Sequence, residues 1–102
     1  MSMTKAVEDV LAERRRQVEV EGFTTEHDDK HTSGEIARAA GCYAFFAANP
    51  KPHVVKILKA FWPWDEKWLK PKSPRQDLVD AGALILAEIE RLDRIETSKA
   101  AS

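Results

Sequence analysis

The chain has 102 residues, 43% of them apolar and 32% charged, with a formal net charge of −1. That profile suits one folded domain spanning residues 1–102 with a single core, and it excludes a disordered chain. A near-neutral balance gives no global field for nucleic acid or an anionic membrane, so a DNA-binding regulator is disfavoured and any phosphate binding must be local.

The lone cysteine, Cys42, rules out an intramolecular disulfide and suits a reducing cytoplasm. No apolar run approaches the roughly 18 residues of a membrane span, and MSMTKAVEDV lacks the apolar core of a signal peptide. The expected location is the cytoplasm, with no membrane partner.

From Thr4 to Glu21, Val7, Val10, Leu11 and Val18 recur at helical spacing, with Thr4 as N-cap and Gly22 as left-handed stop. Arg14, Arg15 and Arg16 cover nearly a full turn of this helix, and a guanidinium fork there suits a phosphate. A polar turn follows, GFTTEHDDKHTSGE, Gly22 to Glu35, whose chemistry far exceeds what a helix connection needs. Thr32 with Glu35 fits a capping box, so a second helix is predicted from near Ser33 along Ile36, Ala39, Ala40, Tyr43 and Ala47. Its free N-terminal N–H groups, with Thr32 and Ser33, suit an anion. Gly41 and the neighbouring alanines allow close helix approach, and Cys42 reads as a small buried side chain.

Pro52 can open a short helix through Phe61. The loop WPWDEKWLKPKSP then places Trp62, Trp64 and Trp68 among prolines that forbid a continuous helix. Such aromatic area closes a core edge, forms an interface or stacks on a base. Ser73, Pro74 and Gln76 start a last helix with a stripe of Leu78, Ala81, Ile85, Ile89, Leu92 and Ile95, widened by Leu84 and Leu86. Glu90 and Arg94 read as an exposed i,i+4 pair, and the tail from Thr97 as frayed. The predicted fold is all-α: a compact bundle of three principal helices, a short fourth and a Trp/Pro-rich loop.

The candidate metal ligands are His27, Asp28, Asp29, His31 and Glu35, joined by Asp77 and Asp80 if the last helix packs its first turn against the second helix. Such oxygen ligands and neutral imidazoles are the groups from which Mg²⁺, Mn²⁺ or Zn²⁺ sites are built, and carboxylates so gathered call for a cation, such as Mg²⁺ or Mn²⁺, able to prepare a water for attack on a phosphoanhydride. The same residues also serve as turn formers, caps and dipole partners.

The segments ERRRQVEVEGFTTEHDDKHTSGEIARAAGCYA and WPWDEKWLKPKSPRQDLVDAGALILAEIERLDR resemble a group of small proteins encoded by tailed phages and prophages. A looser resemblance is to all-α nucleoside triphosphate pyrophosphatases of the MazG kind, which hold Mg²⁺ on a glutamate-rich motif and an ExxD motif. In that comparison Glu35 stands for one member of the first motif and Asp77 with Asp80 forms DxxD, while Asp28 and Asp29 would have to replace missing glutamates.

The first resemblance implies a phage origin, and by analogy with other small phage proteins the expected role is that of an accessory protein of the counter-defence type. Such a protein would act by binding, either sequestering a linear or cyclic nucleotide signal or blocking a host protein, and the apolar helices with an aromatic loop fit a homo-oligomer. The second implies a metal-dependent pyrophosphohydrolase.

Overall fold

The computed structural model describes residues 2–101. These form α1 (Lys5–Glu19), α2 (Thr25–Asp29), α3 (Glu35–Ala48), α4 (Pro52–Leu58), a 3₁₀ turn (Glu66–Trp68) and α5 (Pro74–Ala101), with no strand among the described residues. The all-α expectation holds. No helix is long and apolar enough to cross a membrane among these residues.

The caps follow local chemistry. Thr4 Oγ1 accepts from the Val7 N–H and Ser73 Oγ from the Gln76 N–H, at 3.3 and 3.1 Å. Gly22, at φ +76°, reverses the chain after α1. The polar turn holds a helix that the apolar pattern does not announce: TEHDD has no stripe, but the Thr24 hydroxyl caps it through the His27 N–H at 3.2 Å.

The Thr32–Glu35 capping box is corrected. Gly34, left-handed at φ +81°, takes the N-cap, so α3 starts at Glu35 and not near Ser33. Neither half of the box forms: the Glu35 carboxylate accepts the Ser33 N–H at 2.6 Å and not that of Thr32.

α3 and α5 make the most extensive helix pairing. Each contributes buried alanines to the shared core, Ala39 and Ala40 from α3 and Ala81 and Ala87 from α5, and small side chains let backbones approach. Ile36, Cys42, Tyr43 and Phe46 from α3 pack in one cluster with Val54 and Leu58 of α4, Trp62 and Leu69 of the loop, and Leu84 and Ala87 of α5. Burial pushes the Cys42 thiol pKa up, as befits an inert core group. The glycine that admits a close neighbour is Gly82, not Gly41: a Cβ there would lie 3.3 Å from both methyls of Val10, where α1 crosses α5.

The largest departure concerns which faces are inside. Of the predicted α5 stripe only Ala81 is buried; Leu78, Ile85, Ile89, Leu92 and Ile95 are 37–54% exposed. The buried face is instead Asp77, Asp80, Leu84, Ala87 and Arg91. Its polar members find partners: Asp77 accepts the Lys72 N–H at 2.7 Å through Oδ1 while its Oδ2 has none, Asp80 accepts the Lys72 ammonium at 2.9 Å, and Arg91 forks onto Glu88.

α1 repeats the inversion, with Glu13 and Gln17 buried while Val7 and Leu11 are exposed. The predicted Glu90–Arg94 pair is replaced by longer reaches: Glu90 accepts from Arg14 at 3.0 Å, and Arg94 donates to Asp29 at 2.7 Å. α5 also stays helical past Thr97, to Ala101, where fraying was expected.

Candidate functional site

Burying polar groups is costly unless they are hydrogen-bonded, so the inward polar faces of α1 and α5 must enclose something. Between them, the polar turn and the tryptophan loop lies a cavity of about 600 Å³.

Its polar wall begins with Glu13, whose carboxylate receives Arg16 through two bonds of 2.8 Å and the Gln17 amide at 3.2 Å. Burial works against the charge of Glu13, but the Arg16 fork outweighs it and holds the carboxyl below its ordinary range. Arg16 also donates to Glu21 at 2.7 Å, and its pKa is raised, first by Glu13 and then by Glu21. Across the cavity Lys72 meets Asp80, which also accepts from Gln76 at 2.8 Å. Burial lowers the Lys72 pKa, but the bond to Asp80 reverses this and leaves it raised.

Four buried side-chain atoms have no hydrogen-bond partner among the described residues, Arg14 Nε, Gln17 Oε1, Trp64 Nε1 and Asp77 Oδ2. Gln17 is 3% exposed, and its Oε1 has no hydrogen-bond partner; nor does the buried indole Nε1–H of Trp64. Both residues line the cavity. The two atoms are themselves closed to solvent, so each leaves a bond unmade at a cost of about 1–3 kcal/mol unless a small side-chain rotation turns it onto the cavity.

The three tryptophans divide the aromatic work. Trp62 is core: it donates to the Asp65 carbonyl at 3.0 Å and lies edge-on to Tyr43. Trp64 is the wall, 5.5 Å from Trp62 and 5.2 Å from the His31 ring. Trp68 is the rim, exposed, with the ammonium groups of Lys67 and Lys70 5.3 and 5.6 Å from its ring centre. The Tyr43 hydroxyl accepts the Lys70 N–H at 3.2 Å and fixes the strand of loop between rim and core, while burial raises its pKa.

The polar turn supplies the remaining wall. Phe23 stacks on His27 at 4.8 Å, and His27 meets His31 edge-on at 4.7 Å. Asp28 accepts at the Nδ1 of His27 at 3.1 Å, and Glu35 at that of His31 at 3.2 Å. The Glu35 carboxyl is held below its ordinary range, first by its own backbone N–H, against burial, and further by the Ser33 N–H and His31.

The structure sorts the predicted phosphate ligands. Arg16 and all three tryptophans line the cavity. Arg14 does not: it binds Asp28, Glu90 and the Phe23 carbonyl, tying α1 to α2 and α5. Arg15 is exposed on α1, and Thr32 and Ser33 are exposed outside the cavity, with the Ser33 N–H taken by Glu35.

The predicted gathering of carboxylates is also corrected. Asp28 faces Arg14, Asp29 faces Arg94, and Asp80 faces Lys72, so each is balanced by a cation and not by a common metal. Asp77 and Asp80 stand with Lys72, and Glu35 with His31. Among the described residues no three His, Cys, Asp or Glu side chains are placed to share an ion. Glu13, Gln17, Lys70 and Lys72 join the site without having been singled out. The spacing Val10, Glu13, Gln17 along one face of α1 was the signal for Glu13 and Gln17; Lys70 and Lys72, in the loop before α5, had none.

No family model matches this chain, and neither a curated protein nor a solved structure does.

Proposed function

We propose that this chain binds a nucleotide-class ligand, a flat heteroaromatic ring carrying phosphate, and acts by holding it. The carrying observation is an aromatic-walled cavity of about 600 Å³ lined by Gln17 and Trp64, whose unpartnered buried groups, Oε1 and Nε1–H, a small side-chain rotation would turn onto it. A base edge presents a donor and an acceptor together, and its face suits Trp64 and Trp68. Lys70, on the rim and meeting no carboxylate among the described residues, is the cation for phosphate, with Arg16 and Lys72 behind it.

Holding is favoured over turnover because the cavity carboxylates are engaged. Glu13 and Glu21 are bound by Arg16, Asp80 by Lys72, and Asp65 by the Lys67 N–H. Of these, Asp65, exposed and held by a single backbone N–H at Oδ1, keeps an oxygen without a partner. With the phage-group resemblance, this engagement of the carboxylates supports sequestration of a nucleotide signal of the host.

The test is to incubate the protein with a pool of linear and cyclic nucleotides, remove free ligand, denature, and identify what is released by mass spectrometry. One nucleotide is expected to return intact, and Trp64→Ala should weaken its retention about ten- to hundredfold, the worth of one base stack. Release of a hydrolysed product would replace sequestration with catalysis; retention of nothing would end the nucleotide reading.

The outward apolar stripe belongs to the same proposal, with a second copy of the chain as its occupant. Leu78, Ile85 and Leu92 are spaced by seven about Ile85, so two antiparallel α5 helices would set Leu78 on Leu92 and Ile85 on itself. Val7 and Leu11 extend the exposed apolar surface. Sedimentation should give a dimer or higher multiple for the unmodified chain and a monomer for Ile85→Glu. An unmodified chain that sediments as a monomer at high micromolar concentration would end this assignment.

A further inference from the structure

His27 lies in α2, and His31 follows it by four residues just past the helix end. Their Nε2 atoms face each other at 3.4 Å. Behind each ring stands a carboxylate: Asp28 Oδ1 is 3.1 Å from His27 Nδ1, and Glu35 Oε2 is 3.2 Å from His31 Nδ1.

This arrangement decides the tautomers. A neutral imidazole has one N–H, and a carboxylate acceptor at Nδ1 draws the proton there. The two Nε2 positions then face each other across 3.4 Å, a gap that a shared proton or a metal ion can bridge. Carboxylate backing at the far nitrogen is also what orients histidine ligands and raises their basicity at metal centres.

The spacing selects the cation. Two nitrogens 3.4 Å apart, each about 2.0–2.1 Å from a common ion, subtend about 110° at it, which is the tetrahedral angle favoured by zinc.

We infer that His27 and His31 chelate one borderline transition-metal ion, Zn²⁺ or a neighbour such as Ni²⁺ or Co²⁺, on the cavity wall. Asp28 and Glu35 serve as outer partners and not as ligands. The two remaining coordination positions are left to water or to an oxygen of whatever fills the cavity. Imidazole pairs suit these ions and not Mg²⁺, which demands oxygen ligands. The rings are braced for the task, with Phe23 stacked on His27 and the Trp64 edge against His31. This site stands independently of the identity of the cavity's occupant.

Trp64, with its ring 5.2 Å from that of His31, makes the ion visible. Titration of the full chain with Ni²⁺ should quench tryptophan fluorescence saturably at one ion per chain, and Zn²⁺ should reverse the quenching by displacement. His27→Gln and His31→Gln should each weaken binding at least tenfold. Glu35→Gln should weaken it about ten- to hundredfold, the usual cost of losing an outer partner. His53→Gln, on α4 away from the pair, should change nothing.

Quenching that survives both His27→Gln and His31→Gln, or that disappears with His53→Gln, overturns the assignment. Should a histidine variant fail to fold, the unmodified chain still decides: Co²⁺ bound at one per chain should show the intense visible bands of four-coordination. The weak bands of six-coordinate Co²⁺ would overturn it.

Discussion

Replacing Ile36 with alanine is expected to cost about 2–5 kcal/mol of stability, the range for emptying a close-packed aliphatic site. Ile36 is 1% exposed, in the first turn of α3, where that helix meets the shared core. Its loss leaves a void between elements already held close by alanines, which have no side chain to move into the space. At about 4–8 °C per kcal/mol for a domain of this size, the melting temperature should fall by 10 °C or more. The control is Phe45→Ala on the same helix, half exposed and expected to cost far less. Equal losses from the two would show that α3 is not oriented as described.

Arg14→Ala is the second large effect. The Arg14 side chain, 13% exposed, donates to Asp28 at 3.5 Å and Glu90 at 3.0 Å, and so joins α1 to α2 and α5. Asp28 is 1% exposed, and removing the arginine leaves its carboxylate buried beside His27 alone. Breaking a buried pair from one side typically costs about 3–5 kcal/mol, chiefly because the remaining charge is stranded. The long Arg14–Asp28 separation places the expectation at the lower end of that range. Arg14→Ala combined with Asp28→Asn should recover part of the loss, since no charge is then left behind. Urea unfolding of the two single variants and the double variant measures this coupling. Strict additivity would mean that Arg14 acts through Glu90 and not through Asp28.

The sequence announced helices wherever caps and apolar spacing agreed. Thr4 and Ser73 cap as their chemistry requires, and the small faces of α3 and α5 pair. It misled where hydrophobicity and burial part company. The most apolar stripe of α5, from Leu78 to Ile95, is the outer one, because Asp77, Asp80 and Arg91 find partners inside. A pattern of apolar residues cannot reveal that an aspartate will meet the Lys72 ammonium. Nor can it show that Leu78 and Ile85 are left for another surface.

The site was legible in part for the same reason. Residues with marked chemistry, His27, His31, Arg16 and the tryptophans, stood out and do line the cavity. Gln17 did not stand out, since a glutamine within a helix is ordinary until its amide oxygen is seen buried and unpaired. Asp28 and Asp29 drew attention as adjacent charges, yet their neighbours on the helix surface point them to different arginines. TEHDD carried no helical stripe, so the turn that aims both histidines was hidden until Thr24 was seen to cap it.

The central claim is that the cavity between α1 and the tryptophan loop takes a nucleotide through Gln17 and Trp64. Its most direct test is a two-dimensional ¹H–¹⁵N spectrum of the protein, recorded with increasing amounts of linear and cyclic nucleotides. The indole N–H of Trp64 and the side-chain amide of Gln17 should shift together and saturably with one member of the panel. The Trp62 indole, already donating to the Asp65 carbonyl, should move much less. If both the Trp64 indole and the Gln17 amide stay in place at millimolar concentrations of every nucleotide, the cavity does not serve this ligand class and the proposed function is contradicted.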